Sequence, residues 1–139
     1  MKLIFNKKSN QDEALPSNLD WCLTSGENFS ETCILPDKLI INDKSYQYGI
    51  YHNAFYGETN IEELVIPASI KYIGVEAFAR SSIKVIKFWS NTPPQLADSA
   101  FAEHDKDLQI YVPAGTKKKY YTQNWILACG GEDQWQIMV

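Results

Sequence analysis

Residues 66–78, with the sequence IPASIKYIGVEAF, end in an alanine–phenylalanine pair that recurs along the chain. The three copies lie 23 residues apart: Ala54-Phe55, Ala77-Phe78 and Ala100-Phe101. An apolar residue precedes each phenylalanine by five positions: Ile50, Ile73 and Leu96. Self-similarity at one short period is typical of a chain built by stacking a small unit.

A strand-like segment follows each of the three phenylalanines. In the first, Ile61, Leu64 and Ile66 occupy positions i, i+3 and i+5, and the second, from Ile83 to Phe88, repeats that spacing. This spacing opens the leucine-rich-repeat pattern. Side chains alternate between the two faces of a strand. The alternation predicts these inward residues: Leu64, Ile66, Ile86, Phe88, Ile110 and Val112. The alternation also predicts that six other residues point outward and form a patch, with Trp89 at the edge of the patch: Glu63, Val65, Val85, Lys87, Gln109 and Tyr111.

One unit of this size cannot bury its own apolar side, so neighbouring units must stack into a continuous core. About three units are needed for a stable stack, and the three Ala-Phe pairs just meet that number. We therefore predict that the phenylalanines form a buried ladder. The small alanine beside each ring lets the neighbouring backbone come close.

Residues 66–78 closely resemble one full unit of the BspA-like leucine-rich repeats. In that family an Ile-Pro strand end leads to Ile-Gly, two variable residues and Ala-Phe. Residues 39–48 are similar to the hairpin that often precedes the first unit, with Asn42-Asp43-Lys44-Ser45 as its turn. Residues 111–116, with Tyr120 and Trp125, resemble the usual closing segment. The outer units depart from the pattern at these positions: Tyr51, Ser81, Ala97 and Asp107.

The resemblance implies a β-rich short solenoid, a right-handed stack of about three 23-residue units with N- and C-terminal caps. Within a single domain we predict a capping segment (1–32), the solenoid with its hairpin (33–127) and a C-terminal tail or cap (128–139). The cap would use Leu15, Leu19, Trp21 and Leu23, and residues 9–13 would be a loop or frayed end. Thr116 is predicted to cap one helix that continues through Tyr120, Tyr121 and Trp125.

Composition excludes several classes of function. The chain has 139 residues, 45% hydrophobic and 22% charged, which suits one globular core. A net charge of −4 argues against nucleic-acid binding. The chain contains no run of 18 apolar residues, so the sequence predicts no membrane span.

The resemblance implies a bacterial surface or secreted protein. Residues 1–8, however, lack the apolar run of a signal peptide, so the compartment stays open between export and the cytoplasm.

Few residues indicate catalysis or metal binding. Cys22, Cys33 and Cys129 either stay as three buried thiols or include a Cys22–Cys33 bridge, and their spacing indicates neither redox chemistry nor zinc. His52 and His104 lack a nucleophile or metal-ligand pattern, so His52 is predicted to pack or cap locally. Residues 103–107 could gather oxygen ligands for calcium, or form a solvated loop. The sequence predicts no catalytic residue, no metal and no cofactor.

The remaining prediction is surface recognition. Solenoids usually bind partners on their strand-bearing face. Tyrosine and tryptophan, which combine an apolar body with a polar tip, are enriched at interfaces. The outward patch therefore favours a non-enzymatic module that binds a protein or peptide. Two alternatives stay open. The patch consists of ordinary exposed strand residues, or the chain is a structural cap or self-assembling component of a larger surface assembly, such as a homo-oligomer.

Overall fold

The computed structural model describes residues 1–8, 16, 19–97 and 99–138. Twelve strands, two short α-helices and one 3-10 helix (Glu132–Gln134) lie in this part of the chain; the strands and α-helices are named below. In chain order they are β1 (Lys2–Lys7), β2 (Trp21–Glu27), β3 (Thr32–Ile34), β4 (Leu39–Ile41), β5 (Lys44–Tyr46), β6 (Tyr48–Ile50), β7 (Glu63–Ile66), β8 (Tyr72–Ile73), β9 (Val85–Phe88), β10 (Gln95–Leu96), β11 (Gln109–Val112), α1 (Lys117–Tyr120), α2 (Gln123–Cys129) and β12 (Trp135–Ile137).

Ten of these strands form two five-stranded sheets. The first sheet has the order β1-β2-β6-β8-β10, and the second has the order β12-β11-β9-β7-β3. All pairings within them are parallel except β1 with β2. The chain visits the first sheet and then the second in each unit, so the apolar residues between them form one continuous core.

The predicted phenylalanine ladder is present in the core. The rings of Phe55 and Phe78 stack with centroids 5.1 Å apart, and Phe78 stacks on Phe101 at the same distance. Backbone hydrogen bonds link the same units. The N–H of Phe55 donates to the carbonyl of Ala77 at 2.7 Å, and the N–H of Phe78 donates to the carbonyl of Ala100 at 2.8 Å. Each turn is therefore held to the next by a ring contact and a hydrogen bond.

The predicted strand alternation also agrees with the structure. β7, β9 and β11 each alternate between half-buried and buried residues. All six residues predicted to face inward are buried: Leu64, Ile66, Ile86, Phe88, Ile110 and Val112. Because the three strands are aligned without a shift, the half-buried residues also lie side by side.

Gly74 is required by a close approach between neighbouring units. A Cβ atom there would lie 2.7 Å from the backbone nitrogen of His52 and 2.9 Å from the carbonyl carbon of Tyr51. The N–H of Gly74 donates to Ile50 at 2.9 Å, as the N–H of Ala97 does to Ile73 one unit later. The position is thus equivalent in both units, and at Gly74 the ring nitrogen Nδ1 of His52, 2.8 Å from a Cβ atom placed there, adds to the crowding by the backbone.

The predicted hairpin is formed by β4 and β5, which pair antiparallel. Its turn consists of Asn42 and Asp43 alone, with φ of 51° and 66°. Positive φ at both central residues is the pattern of a tight two-residue turn, which asparagine and aspartate tolerate. The four-residue turn predicted from the sequence was too long, because Lys44 and Ser45 already belong to β5.

The N-terminal segment takes part in both sheets. Trp21, Cys22 and Leu23 in β2 pair parallel with β6, and β3 pairs parallel with β7. Phe29 lies 5.5 Å from Phe55 and adds one aromatic ring before the ladder. A strand pair therefore precedes the first Ala-Phe unit, in a segment that has no Ala-Phe pair of its own. Leu15 and residues 9–13 lie outside the described residues.

The C-terminal segment differs from the single helix predicted there. α1 and α2 are separate, and the hydroxyl of Thr116 donates to the carbonyl of Pro113 at 2.6 Å instead of capping α1. Trp125 of α2 packs edge-on against Phe88, with centroids 5.2 Å apart. β12 then joins the second sheet beside β11. The closing segment thus seals the end of the core with aromatic rings.

Candidate functional site

The residues predicted to face outward lie together on the second sheet. The strand pairings place Glu63 beside Val85, and Val85 beside Gln109. In the next row, Val65 lies beside Lys87, and Lys87 beside Tyr111. We call this surface the outer face and define it by these residues: Ile34, Glu63, Val65, Val85, Lys87, Trp89, Gln109, Tyr111 and Gln136.

An ion pair occupies the centre of the outer face. The Nζ atom of Lys87 lies 2.6 Å from Oε1 of Glu63 on the neighbouring strand. The same Nζ atom lies 6.0 Å from the centroid of the Tyr111 ring, at the limit of a cation–π contact. Partly exposed pairs of this kind add little stability. The effect of the pair here is to neutralise the charge at the centre of the outer face.

Gln136 extends the outer face by one strand. Its side-chain amide donates to Oε1 of Gln109 at 3.0 Å. Gln136 lies next to Tyr111, because β12 pairs parallel with β11. The sequence did not indicate Gln136, since residues 128–139 carry no repeat, and the short apolar–polar alternation of residues 135–137 was the only signal available.

Two apolar side chains are the most exposed members of the outer face. Trp89 is 55% exposed and follows β9, where its backbone N–H donates to the carbonyl of Ile66 at 3.1 Å. Ile34 is 63% exposed and pairs with Val65 from the edge strand β3. The face therefore has a neutralised polar centre and an apolar group on two borders.

The acidic loop of residues 103–107 is occupied by contacts within the protein. Glu103 forms an ion pair with Arg80, and Asp105 lies 3.9 Å from Nζ of Lys84. Asp105 also accepts a hydrogen bond from the backbone N–H of Asp107 at 2.8 Å. Across the described residues, no group of three histidine, cysteine, aspartate or glutamate side chains could hold a metal ion.

Both histidines make local contacts. Nδ1 of His52 accepts a hydrogen bond from the backbone N–H of Val75 at 2.8 Å, across 23 residues. His52 therefore caps the turn of the following unit, which agrees with its predicted local role. Nδ1 of His104 lies 2.7 Å from the carbonyl oxygen of Asp105 in its own loop.

Cys22, Cys33 and Cys129 are all buried, and no disulfide joins them. Of the two alternatives left open by the sequence, the structure contains the buried thiols. Burial raises the pKa of the Cys33 thiol to about 11, with a smaller contribution from the negative charge of Glu58. Burial also raises the pKa of Cys129. Thiols with raised pKa values react slowly, because the thiolate is the nucleophile.

We therefore expect Cys33 and Cys129 to resist iodoacetamide in the native protein at pH 8, where both remain protonated. In denaturant both should be alkylated quickly, because the thiols regain an ordinary pKa of roughly 8.5. Mass spectrometry of tryptic peptides at timed intervals checks this. Equal native and denatured rates at Cys129 would contradict its burial.

Two sheets built from one repeated strand–turn–strand unit define a β-rich repeat protein of the leucine-rich-repeat class. The chain matches the family described as BspA type leucine rich repeat region, in 6 copies over residues 23–122, and it belongs to that family. This count differs from the three units predicted from the Ala-Phe pairs. No curated protein and no solved structure matches the chain. In the described part of the chain, no helix has the length and apolarity needed to span a membrane.

Proposed function

We propose that this protein is a non-enzymatic interaction module and that its outer face binds a protein or peptide partner. The scaffold would be a short right-handed solenoid, consistent with leucine-rich-repeat domains, which generally mediate protein interactions. The observation that carries the proposal is the arrangement on one sheet of Trp89, Tyr111 and the Lys87–Glu63 pair.

The composition of the outer face favours a protein over a polyanion. Its single lysine is neutralised by Glu63 at 2.6 Å, so the face has no basic patch for phosphate groups. Interface centres in proteins are depleted of free charge and enriched in tyrosine and tryptophan. Gln109 and Gln136, already joined by a hydrogen bond, keep further amide donors and acceptors that could pair with a partner backbone.

Trp89 is the expected anchor of the interface. Its ring is more than half exposed, although its backbone is fixed to β7 by the hydrogen bond to Ile66. A large ring whose backbone is hydrogen-bonded to a strand loses little conformational entropy on binding. A partner that covers Trp89, Tyr111 and Val65 would bury the apolar part of the interface. Lys87 and Glu63 would fix the orientation of that partner.

Two further predictions come from the sequence and from the family resemblance. One is placement at a bacterial cell surface or in the secreted fraction. The other is the division of the chain into residues 1–32, 33–127 and 128–139. We retain both as proposals, because neither affects the argument from the outer face.

The proposal is tested with a phage-displayed random peptide library selected on the purified protein. We expect selected peptides to lose about tenfold or more in affinity for the double variant Lys87→Ala/Tyr111→Ala, since hot-spot residues, which cluster near the centre of an interface, cost more than about 1 kcal/mol each when truncated. Fluorescence polarisation with labelled peptides measures the dissociation constants. Because both side chains are partly exposed, the free energy of unfolding should change little.

The matched control is Lys118→Ala/Tyr56→Ala, which removes one lysine and one tyrosine from exposed positions outside the second sheet. Peptides that bind the outer face should keep their affinity for this variant. Equal losses with both double variants, or no loss with either, would place peptide binding elsewhere on the protein.

A further inference from the structure

Each turn of the stack is joined to the next by the same three backbone hydrogen bonds. Two N–H groups of one turn donate to alanine carbonyls of the next, and one N–H group of the next turn donates back to an isoleucine carbonyl. Between the first two units these bonds are Phe55 to Ala77, Gly57 to Ala79 and Gly74 to Ile50, at 2.7, 2.9 and 2.9 Å. Between the second and third they are Phe78 to Ala100, Arg80 to Ala102 and Ala97 to Ile73, at 2.8, 2.9 and 2.9 Å. Every turn therefore offers two donors and one acceptor to the turn that follows it.

The third Ala-Phe unit has the same three groups: the N–H groups of Phe101 and Glu103 and the carbonyl of Leu96. The turn keeps its conformation there, since φ is 53° at Glu103 and 55° at Arg80, the equivalent residue one unit earlier. The two N–H groups therefore point towards the closing segment, as those of the earlier turns point towards the next unit.

These three groups are unpaired within residues 19–97 and 99–138. In β10, the edge strand of the first sheet, the N–H groups of Gln95 and Ala97 donate towards β8. The carbonyl of Leu96 between them therefore points to the open side. Phe101 is only 1% exposed, and buried backbone groups without a partner are rare, so a hydrogen-bonding molecule is expected beside it.

The closing segment covers the last ring of the ladder but supplies none of the three partners. Tyr120 lies one period after Ala97, yet its N–H donates to the carbonyl of Thr116 at 3.1 Å. Trp125 of α2 packs on the ring of Phe101, with centroids 6.2 Å apart. The ring position of a following turn is therefore occupied, whereas its backbone positions are not.

An open cavity lies between this turn and α2. It has a volume of about 310 Å³, and its walls include Leu96, Phe101 and Ala102 of the turn and Asn124, Leu127 and Ala128 of α2. This volume is at the small end of the range for ligand pockets. Two of the three unpaired groups belong to residues of the wall, and the third, Glu103, follows Ala102 directly. The cavity therefore combines apolar side chains with backbone donors and an acceptor.

From the three unpaired groups and the cavity beside them, we propose that the last turn is a second binding site and that its ligand is a short peptide of small residues. Carbonyls of the peptide accept from the N–H groups of Phe101 and Glu103, and one of its N–H groups donates to the carbonyl of Leu96. The peptide thus forms the hydrogen bonds that each earlier turn forms with the next unit. Such main-chain hydrogen bonds are a common basis of peptide recognition.

The residues of the ligand follow from the same comparison. All four carbonyls that accept from the earlier turns belong to alanines: Ala77, Ala79, Ala100 and Ala102. Trp125 already fills the ring position, so a large side chain on the peptide has no room there. A carboxylate ion would pair with the two N–H groups but not with the carbonyl of Leu96, so a peptide fits the site better than a free anion. The site does not use the outer face, so it does not depend on binding there.

The experiment is a titration of the ¹⁵N-labelled full chain with acetyl-Ala-Ala-Ala-amide, followed by NMR. We expect the amide-proton signals of Phe101 and Glu103 to move downfield in a saturable way, because their N–H groups gain a carbonyl partner. Their exchange with solvent should slow about tenfold or more at saturation. The amides of Phe55 and Phe78 are internal controls, since both are already paired and should not respond. Sodium acetate at the same concentration should leave all four signals in place.

Variants of the cavity wall and of the outer face separate the two sites. Ala128→Leu places a larger side chain in the cavity and should weaken peptide binding about tenfold or more, while leucine keeps α2 helical. Leu127→Ala removes an exposed part of the wall and should weaken binding about threefold. Because Leu127 is 77% exposed, this second variant decides the matter if Ala128→Leu fails to fold. Lys87→Ala/Tyr111→Ala should bind the tripeptide like the wild type.

Signals of Phe101 and Glu103 that do not respond to the tripeptide would overturn the proposal. So would equal shifts with acetate, which would indicate an anion site, or unchanged affinity in both cavity variants. An amide of Phe101 that is as well protected as that of Phe78 before any peptide is added would show that it is already paired. Loss of tripeptide binding in Lys87→Ala/Tyr111→Ala alone would place the binding on the outer face and leave only that site.

Discussion

Replacing Phe78 by alanine is expected to lower the free energy of unfolding by about 3 to 5 kcal/mol, the usual range for a buried phenylalanine. Phe78 is fully buried and is the middle ring of the ladder. It stacks on Phe55 and on Phe101, each at 5.1 Å, so its removal leaves a cavity between two rings and loses both contacts. Urea denaturation followed by circular dichroism measures the change.

The matched control for Phe78 is Tyr56→Ala. Tyr56 follows Phe55 directly in the first turn but is exposed, so its removal should change stability by less than about 0.5 kcal/mol. If Phe78→Ala lowers the free energy of unfolding by less than about 1 kcal/mol, the phenylalanine ladder does not stabilise the stacking of the units.

Replacing Trp125 by alanine is expected to cost a similar amount, about 3 to 5 kcal/mol. Trp125 is 4% exposed and touches four aromatic rings: Phe88, Phe101, Tyr120 and Trp135. Alanine favours a helix more than tryptophan does, so α2 itself is not weakened by the change. The loss of stability therefore measures how strongly the packing of α2 on the last unit stabilises the fold.

Leu127→Ala supplies the control on the same helix. Leu127 is mostly exposed, so the protein should lose less than about 0.5 kcal/mol of its free energy of unfolding. Hydrogen exchange distinguishes the two variants further, since Trp125→Ala should speed exchange in α2 and β12, whereas Leu127→Ala should not. Equal losses in the two variants would contradict the role of Trp125 as the ring that closes the core.

The middle of the fold could be predicted from the sequence because its contacts repeat. A period of 23 residues places Phe78 one unit from Phe55 and from Phe101, and stacking then brings the three rings together. Strand alternation within each unit also predicts which residues are buried. These predictions need only local pattern and the rule that identical units stack in register.

The ends of the fold could not be predicted in the same way. Residues 135–137 carry no copy of the repeat and residues 21–27 carry no Ala-Phe pair, yet both segments form strands of the sheets. Their pairing depends on an open strand edge left by the neighbouring unit, which is a long-range feature. The predicted single helix was wrong for a related reason. The break between α1 and α2 lets Tyr120 and Trp125 both reach Phe88.

The candidate site also has one part that could be predicted from the sequence and one part that could not. Seven of the nine residues of the outer face follow from alternation and register, because they belong to the repeated strands or follow one of them directly. Gln136 required the position of β12, and the exposure of Ile34 required the position of β3 at the border of the sheet. The pairing of Lys87 with Glu63 depends on the distance between two adjacent strands and on the rotamers of both side chains.

The sequence by itself determined the repeated unit, its phase and therefore the side of each strand that is buried. Only the tertiary structure decided where the stack begins and ends, how its core is closed and which charges of the outer face neutralise each other. The physical reason is that a repeat specifies contacts between equivalent positions. The ends have no equivalent neighbour, so their structure depends on whichever distant segment covers the open edge and the exposed rings.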